Sequence, residues 1–195
     1  MISDALKSHH IILASGSPRR QSLLKSLGVD FEIRLKPIEE VYPETLKREH
    51  ITNYLAQLKA EVFKADLNSK DILITSDTIV WLKDKALEKP ADRAHAIQML
   101  QALSNTMHEV ITSVCFTTAE IQLTEFCTTE VYFKALTTAE IEFYLDHFKP
   151  YDKAGGYGIQ EWIGEIGITK INGSYLNVVG FPLHVVYKTL NGMVS

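Results

Sequence analysis

The segment Ser15-Gly16-Ser17-Pro18-Arg19-Arg20 follows a short apolar run and has the residue types of a phosphate cradle. A strand entering a Ser/Gly turn and then a helix aims backbone N–H groups and the positive helix end at one point, and two arginines add fixed charge. The same residues also read as a capped helix with solvated arginines. Neither a Walker A loop nor a Rossmann glycine fingerprint occurs anywhere in the chain. A second cluster, Ser76-Asp77-Thr78, sets a polar triplet inside an apolar run. A buried carboxylate needs a partner or a metal, so Asp77 reads as a catalytic base or Mg²⁺ anchor, or else as the start of a structural Asx turn.

Two lysines and a glutamate pair form a third, weaker group. Lys59 lies among Leu55, Leu58 and Val62, Lys89 precedes Pro90, and Glu39-Glu40 stand together. Each is ordinarily a solvated side chain. The fourth cluster is Asp152-Lys153-Ala154-Gly155-Gly156-Tyr157-Gly158-Ile159-Gln160. Its glycines permit close approach to a ligand and Asp152, Lys153 and Gln160 supply polar contacts, the alternative being a tight connecting loop. The histidines are scattered without a zinc-protease pattern, and His9-His10 reads as an exposed pair.

The elements that must hold these clusters follow from periodicity. Ile11 to Ala14 and Ile72 to Ser76 read as strands buried on both faces. Pro18 opens a helix that carries Leu23, Leu24 and Leu27 and ends at Gly28. Val29 to Leu35 alternates as a strand, and Thr45 to Ala65 reads as the longest amphipathic helix. Ile79 to Leu82 with the turn Lys83-Asp84-Lys85 predicts a hairpin. Ala91 to Leu103 reads as a helix, and Glu109 to Leu136 as a three-run antiparallel meander. Thr137 and Glu140 form a capping box before a helix over Ala139 to Phe148. Tyr151 to Gln160 reads as a loop too polar for core. Asn172-Gly173 predicts a hairpin between Ile166–Ile171 and Ser174–Val179, and Pro182 opens a last helix closed by Gly192.

Composition limits the function classes. The 195 residues carry 20 Lys+Arg against 24 Asp+Glu, a formal charge of −4, with 46% hydrophobic residues. This predicts an ordinary globular chain of one domain over 1–195, not a disordered or low-complexity one. The charge argues against a nucleic-acid polymer or a membrane surface as partner. Cys115 and Cys127, without a CxxC pair, predict no zinc site and no disulfide framework, and both read as small buried hydrophobes in a reducing compartment. No run approaches the about 20 apolar residues of a membrane span, so a cytoplasmic location is expected.

In order along the chain, Leu13-Ala14-Ser15-Gly16-Ser17-Pro18-Arg19-Arg20 with Leu23-Leu24, Leu55-Ala56 to Lys59-Ala60, Asp77-Thr78, Lys89-Pro90, Asp152-Lys153-Ala154-Gly155 with Tyr157-Gly158-Ile159-Gln160, and Gly173-Ser174-Tyr175 to Val179-Gly180-Phe181-Pro182 resemble the Maf family of nucleoside triphosphate pyrophosphatases. The resemblance covers nearly the whole chain. It implies an α/β fold of the Maf/ITPase-like kind, with a long twisted mixed sheet, helices and two lobes around a central cleft. It also implies metal-dependent hydrolysis of a nucleoside triphosphate to monophosphate and pyrophosphate, with Mg²⁺ or Mn²⁺. Asp77 matches the family's proton acceptor. Arg19, Thr78 and Gln160 match the positions that mark the branch acting on dTTP and UTP. Ser15, Arg20, Lys59 and Lys89 are then expected to bind phosphate, and Glu40 with Asp77 to hold the metal.

Two positions depart from the family pattern: Gly156 stands where Ala is common, and Glu161 follows Gln160 where Gly is frequent. Glu161 is expected to alter the loop that closes over the base. Modified pyrimidine nucleotides, a house-cleaning role, a link to cell-division arrest and a homodimer follow from the resemblance alone. The alternatives are a pyrophosphatase for 7-methyl-GTP or noncanonical purine nucleotides, and a nucleotide-sensing regulator without turnover.

Overall fold

The computed structural model describes residues 5–194. Among them seven strands, β1 (His10–Leu13), β2 (Glu32–Ile33), β3 (Asp71–Leu82), β4 (Lys85–Leu87), β5 (Met107–Thr117), β6 (Gln122–Phe133) and β7 (Ile168–Asn172), form a mixed sheet. The order is β2-β1-β3-β5-β6-β7, with β4 paired to β3. β1 is flanked in parallel by β2 and β3, with Leu13 opposite Ile33 on one side and Ile74 on the other. Parallel neighbours on both sides explain the uninterrupted apolar run, and Ile11, Ile12 and Leu13 are all buried. The α/β class expected from the sequence is what the chain forms.

The chain divides into two compact units. The first takes the described part of Met1–Asp77, Thr112–Cys127 and Gly180–Ser195, and the second takes Thr78–Ile111 and Thr128–Val179. In the first, helices α1 (Pro18–Ser26) and α2 (Glu49–Glu61) connect β1 to β3. Ala56, Ala60 and Phe63 pack with Ile12, Leu73 and Cys115. In the second, α3 (Arg93–Leu103), α4 (Thr138–Phe148) and α5 (Trp162–Gly167) supply Leu100, Tyr144 and Ile163 to a core with Val80 and Val131. The capping box at Thr137 is present in both directions, Thr137 Oγ1 accepting from Glu140 N and Glu140 from Thr137 N. Among the described residues no helix is long and apolar enough to cross a membrane.

Several expectations are corrected. The Val29–Leu35 strand shrinks to the two residues of β2. The long helix begins at Glu49, not Thr45, because Arg48 has a positive φ of 53°, a backbone state that no right-handed helix contains. The three-run meander is two long strands, β5 and β6, joined by a turn at 118–121. Thr124, Glu125 and Thr128 interrupt the apolar pattern of β6 but not its backbone. The last helix, α7, follows the short helix α6 (Tyr175–Val179), runs Leu183–Met193 and so contains Gly192. Cys127 is only half-buried.

The hairpin expected at Asn172-Gly173 does not form, because residues Tyr175–Val179 are the short helix α6. The buried Asn177 amide decides this, donating to Val110 O at 2.9 Å and Thr129 Oγ1 at 3.0 Å. Gly173 has φ of 131°, and a Cβ there would lie 2.7 Å from Thr129 Oγ1, so only glycine admits that approach. The expectation that 151–160 is too polar for core is likewise overturned. Gly155 through Ile159 are buried, with Gln160 exposed beyond them.

Tyr157 of that loop meets His108 of β5, Oη to Nε2 at 2.7 Å, and Phe133 stacks on the imidazole. Burial holds the His108 pKa at about 3, far below its ordinary 6.5. The neutral ring is therefore kept in the fold while the unfolded chain takes up a proton. The stability this contributes is complete above about pH 6.5 and is lost as pH falls toward about 3. Between pH 6.5 and 5 the wild-type chain is expected to lose about 2 kcal/mol on this account. His108→Gln, which cannot titrate but can still pair with Tyr157, is expected to flatten that slope in urea unfolding measured across the interval. An unchanged slope would show that His108 is not its source.

Candidate active site

In the first unit, the turn after β1, the start of α1, the stretch between β2 and α2, α2 itself and the middle of β3 carry Ser15, Arg19 and Arg20, Glu40, Lys59 and Asp77 in turn. After Leu13 the chain turns through Ser15, whose Oγ accepts from Ser17 N at 3.3 Å and whose carbonyl accepts from Gln21 Nε2 at 3.0 Å. Ser17 caps α1 by accepting from Arg20 N. The turn is thus fixed by its own hydroxyls, with the partial positive charge of the helix end directed at it.

Arg20 reaches back from α1 to the main chain. Its Nη1 donates to Ser76 O at 2.8 Å and its Nε to Gly180 O at 3.0 Å. The first of these bonds braces β3 at the residue before Asp77, and the second ties the same guanidinium to the main chain at Gly180. Burial lowers the guanidinium pKa, and the neighbouring Asp77 and Glu40 carboxylates act against that.

Lys59 stands one turn beyond the buried pair Leu55 and Ala56 on α2. α2 is tied to β3 where Thr75 Oγ1 donates to Ala56 O at 2.6 Å. This places Lys59 Nζ 2.7 Å from Asp77 Oδ1 and 3.0 Å from Glu40 Oε2. Asp77 is only 7% exposed. Burial raises its carboxyl pKa above the ordinary 3.8, while Lys59 and then Arg20 pull the other way. A buried carboxylate with a raised pKa, held by one lysine, has the character of a general base.

The same geometry answers whether a divalent ion suits the residues. Glu40 and Asp77 already converge on one cation, the Lys59 ammonium, and a hard metal bound through one or two carboxylates plus phosphate oxygens needs such a pair. The fit is with a substrate-completed site. No group of three or more His, Cys, Asp or Glu side chains among the described residues is arranged to hold a metal alone.

Thr78, Lys89 and Gln160 belong to the second unit. Thr78 follows Asp77 on β3 and is half-buried. Lys89 is exposed just after β4, where Gly155 N donates to Glu88 O at 3.0 Å and so ties the glycine loop to that exit. Gln160 is exposed at the loop's end. Sequence reasoning passed over Tyr144 and undervalued Glu161, whose side chains meet beside this loop. The available signal was Glu161 itself, standing after Gln160 where glycine is frequent.

The site as built, a buried lysine-held carboxylate in a mixed α/β chain whose first helix begins at a serine turn, is of the class suited to anionic ligands. Its particular family is the Maf family: the model for "Maf-like protein" matches residues 10–193, and the chain belongs to it. It is 56% identical over 195 residues to a protein of Christiangramia forsetii named dTTP/UTP pyrophosphatase, all of both chains being covered. A protein of the same name from Flavobacterium johnsoniae is 53% identical over 194 residues, again with both chains covered in full. One from Bacteroides fragilis is 47% identical, covering 95% of this chain and 96% of its own. A solved nucleoside-triphosphatase structure from Mycobacterium abscessus covers 94% of each chain at 13% identity with a TM-score of 0.43, too distant to add to the family match.

Proposed function

We propose that the protein hydrolyses dTTP and UTP between the α- and β-phosphates, releasing the nucleoside monophosphate and pyrophosphate. The carrying observation is the Glu40–Lys59–Asp77 cluster, in which one buried carboxylate is aimed by an ammonium group. The full-length identity to proteins named dTTP/UTP pyrophosphatase supports the substrate class.

In this reading a water molecule attacks the α-phosphorus and gives its proton to Asp77. The new P–O bond forms as the bond to the bridging oxygen breaks, and that electron pair leaves on pyrophosphate. Lys59 holds Asp77 in place and offsets charge on the phosphates. Ser15, Arg19 and the α1 N-terminus meet the remaining phosphate oxygens. Arg20 acts by bracing Ser76, with its charge available nearby. Lys89 and Thr78 take phosphate and sugar contacts, and Gln160, both donor and acceptor, suits the imide edge of thymine or uracil. Glu40 and Asp77 would hold Mg²⁺ or Mn²⁺, which supplies charge neutralisation at the phosphate oxygens.

Pyrophosphate release measured with dTTP, UTP, dCTP, dATP, dGTP, ITP and 7-methyl-GTP, with Mg²⁺ and with Mn²⁺, tests the reading. dTTP and UTP are expected to turn over fastest. Preference for the methylated or noncanonical purine would overturn the substrate class, and binding without turnover would overturn the enzymatic reading.

A further inference from the structure

Glu161 is the N-cap of α5, a position that favours Ser, Thr, Asp, Asn or Gly because a short side chain there reaches the first-turn N–H groups. The glutamate makes no such cap bond. Its carboxylate turns back over the glycine loop. Tyr144 donates its hydroxyl to Oε2, and Lys153 Nζ lies 3.1 Å from Oε1. The Tyr144 oxygen in turn accepts from Gly158 N at 3.0 Å. The Lys153 and Glu161 side chains are 11% and 19% exposed, so solvent screens this pair less than a surface ion pair. The carboxylate also fills the space a side chain at 158 would need, since a Cβ there would lie 2.8 Å from Glu161 Cδ. Gln160 is therefore an exposed side chain on a stem fixed on both sides, by buried Ile159 before it and clasped Glu161 after it.

We propose that Glu161 is a positioning residue for base recognition: through Tyr144 and Lys153 it fixes the main chain from Gly158 to Gln160 and so sets where the Gln160 amide stands. This rests on the reading of Gln160 as the residue that meets the base, and adds to it the group that aims it. Backbone displacement below 1 Å is enough to weaken a two-point hydrogen bond, so the consequence falls on selectivity and binding before it falls on chemistry.

The test pairs a readout that needs no nucleotide with one that does. In the unliganded protein, Glu161→Ala and Tyr144→Phe are expected to speed amide hydrogen exchange at Gly158 by about tenfold or more. The same variants are expected to lower the dTTP:dCTP ratio of kcat/KM by roughly tenfold, mainly through KM. Glu161→Gln keeps an acceptor for Tyr144 and loses the charge facing Lys153, so it should fall between wild type and Glu161→Ala. It carries the same two measurements should the alanine variant fail to fold. Unchanged exchange at Gly158 would overturn the clasp. Faster exchange with an unchanged dTTP:dCTP ratio would overturn the positioning role. Equal handling of dTTP and dCTP by the wild-type protein would instead sink the reading of Gln160, while the exchange data still decide the clasp by themselves.

Discussion

Asp77→Asn is expected to lower the rate of pyrophosphate release by about 10²–10⁴ while nucleotide binding persists, the range typical for loss of a general base. The substitution is nearly isosteric, and its amide oxygen can still accept from Lys59 where Asp77 Oδ1 does now at 2.7 Å. What it removes is the proton-accepting charge. Binding of the metal-free nucleotide should hold or tighten, because a negative group facing a triphosphate has gone. Burial sets the Asp77 pKa above the usual carboxylate value, so the acid limb of wild-type kcat/KM should lie above the range of an exposed aspartate. Below that limb the base is protonated and activity falls; above it activity is maintained. Calorimetric binding of dTTP alongside a pyrophosphate assay separates the two effects, and turnover near the wild-type rate would remove Asp77 from the chemistry.

The second large effect is structural. Gly164→Ala is expected to destabilise the second unit by more than about 4 kcal/mol, the range reserved for overpacking that nothing can relieve. A Cβ at 164 would stand 2.0 Å from Ile159 O, 2.5 Å from its carbonyl carbon and 2.8 Å from its Cα. All three are main-chain atoms, so no side chain can rotate away. Gly164 N already donates to Glu161 O at 2.8 Å, which locks the two stretches in contact. Relief requires moving Ile159, which would carry Gln160 with it. A urea midpoint close to wild type would show that α5 can shift without cost. A folded variant with lost pyrimidine preference would show that the strain was released into the loop.

The parts of the fold readable from sequence are those decided locally. The run Ile11–Leu13 announces a strand buried on both faces, Ser17-Pro18 a helix start, and Thr137 with Glu140 a capping box, and each stands in the structure. The misread parts are those decided at a distance. Asn172-Gly173 has ideal hairpin chemistry, yet Asn177 finds Val110 and Thr129 more than 45 residues away in sequence, and the chain coils into a helix. Nothing near Arg48 predicts its positive φ. At the site, residue types singled out Asp77, Lys59 and Glu40, and the structure joins them through one ammonium group. Arg20 was legible as a cation near phosphate but not as a brace on Ser76 O, because its acceptor is a carbonyl 56 positions on, which residue type does not encode. Glu161 was visible only as a departure, since its partners Tyr144 and Lys153 lie on other turns of the chain.

The mutual pairing of Glu40, Lys59, Asp77 and Arg20 has a kinetic consequence. Two anionic and two cationic side chains cancel where they meet, on a chain whose net charge is −4. An incoming triphosphate therefore gains little long-range attraction from these four side chains themselves. Discrimination is exercised only on arrival, when phosphate oxygens compete with the carboxylates for Lys59. A ligand too poor in charge to win that exchange leaves the ammonium group where it is and the base shielded.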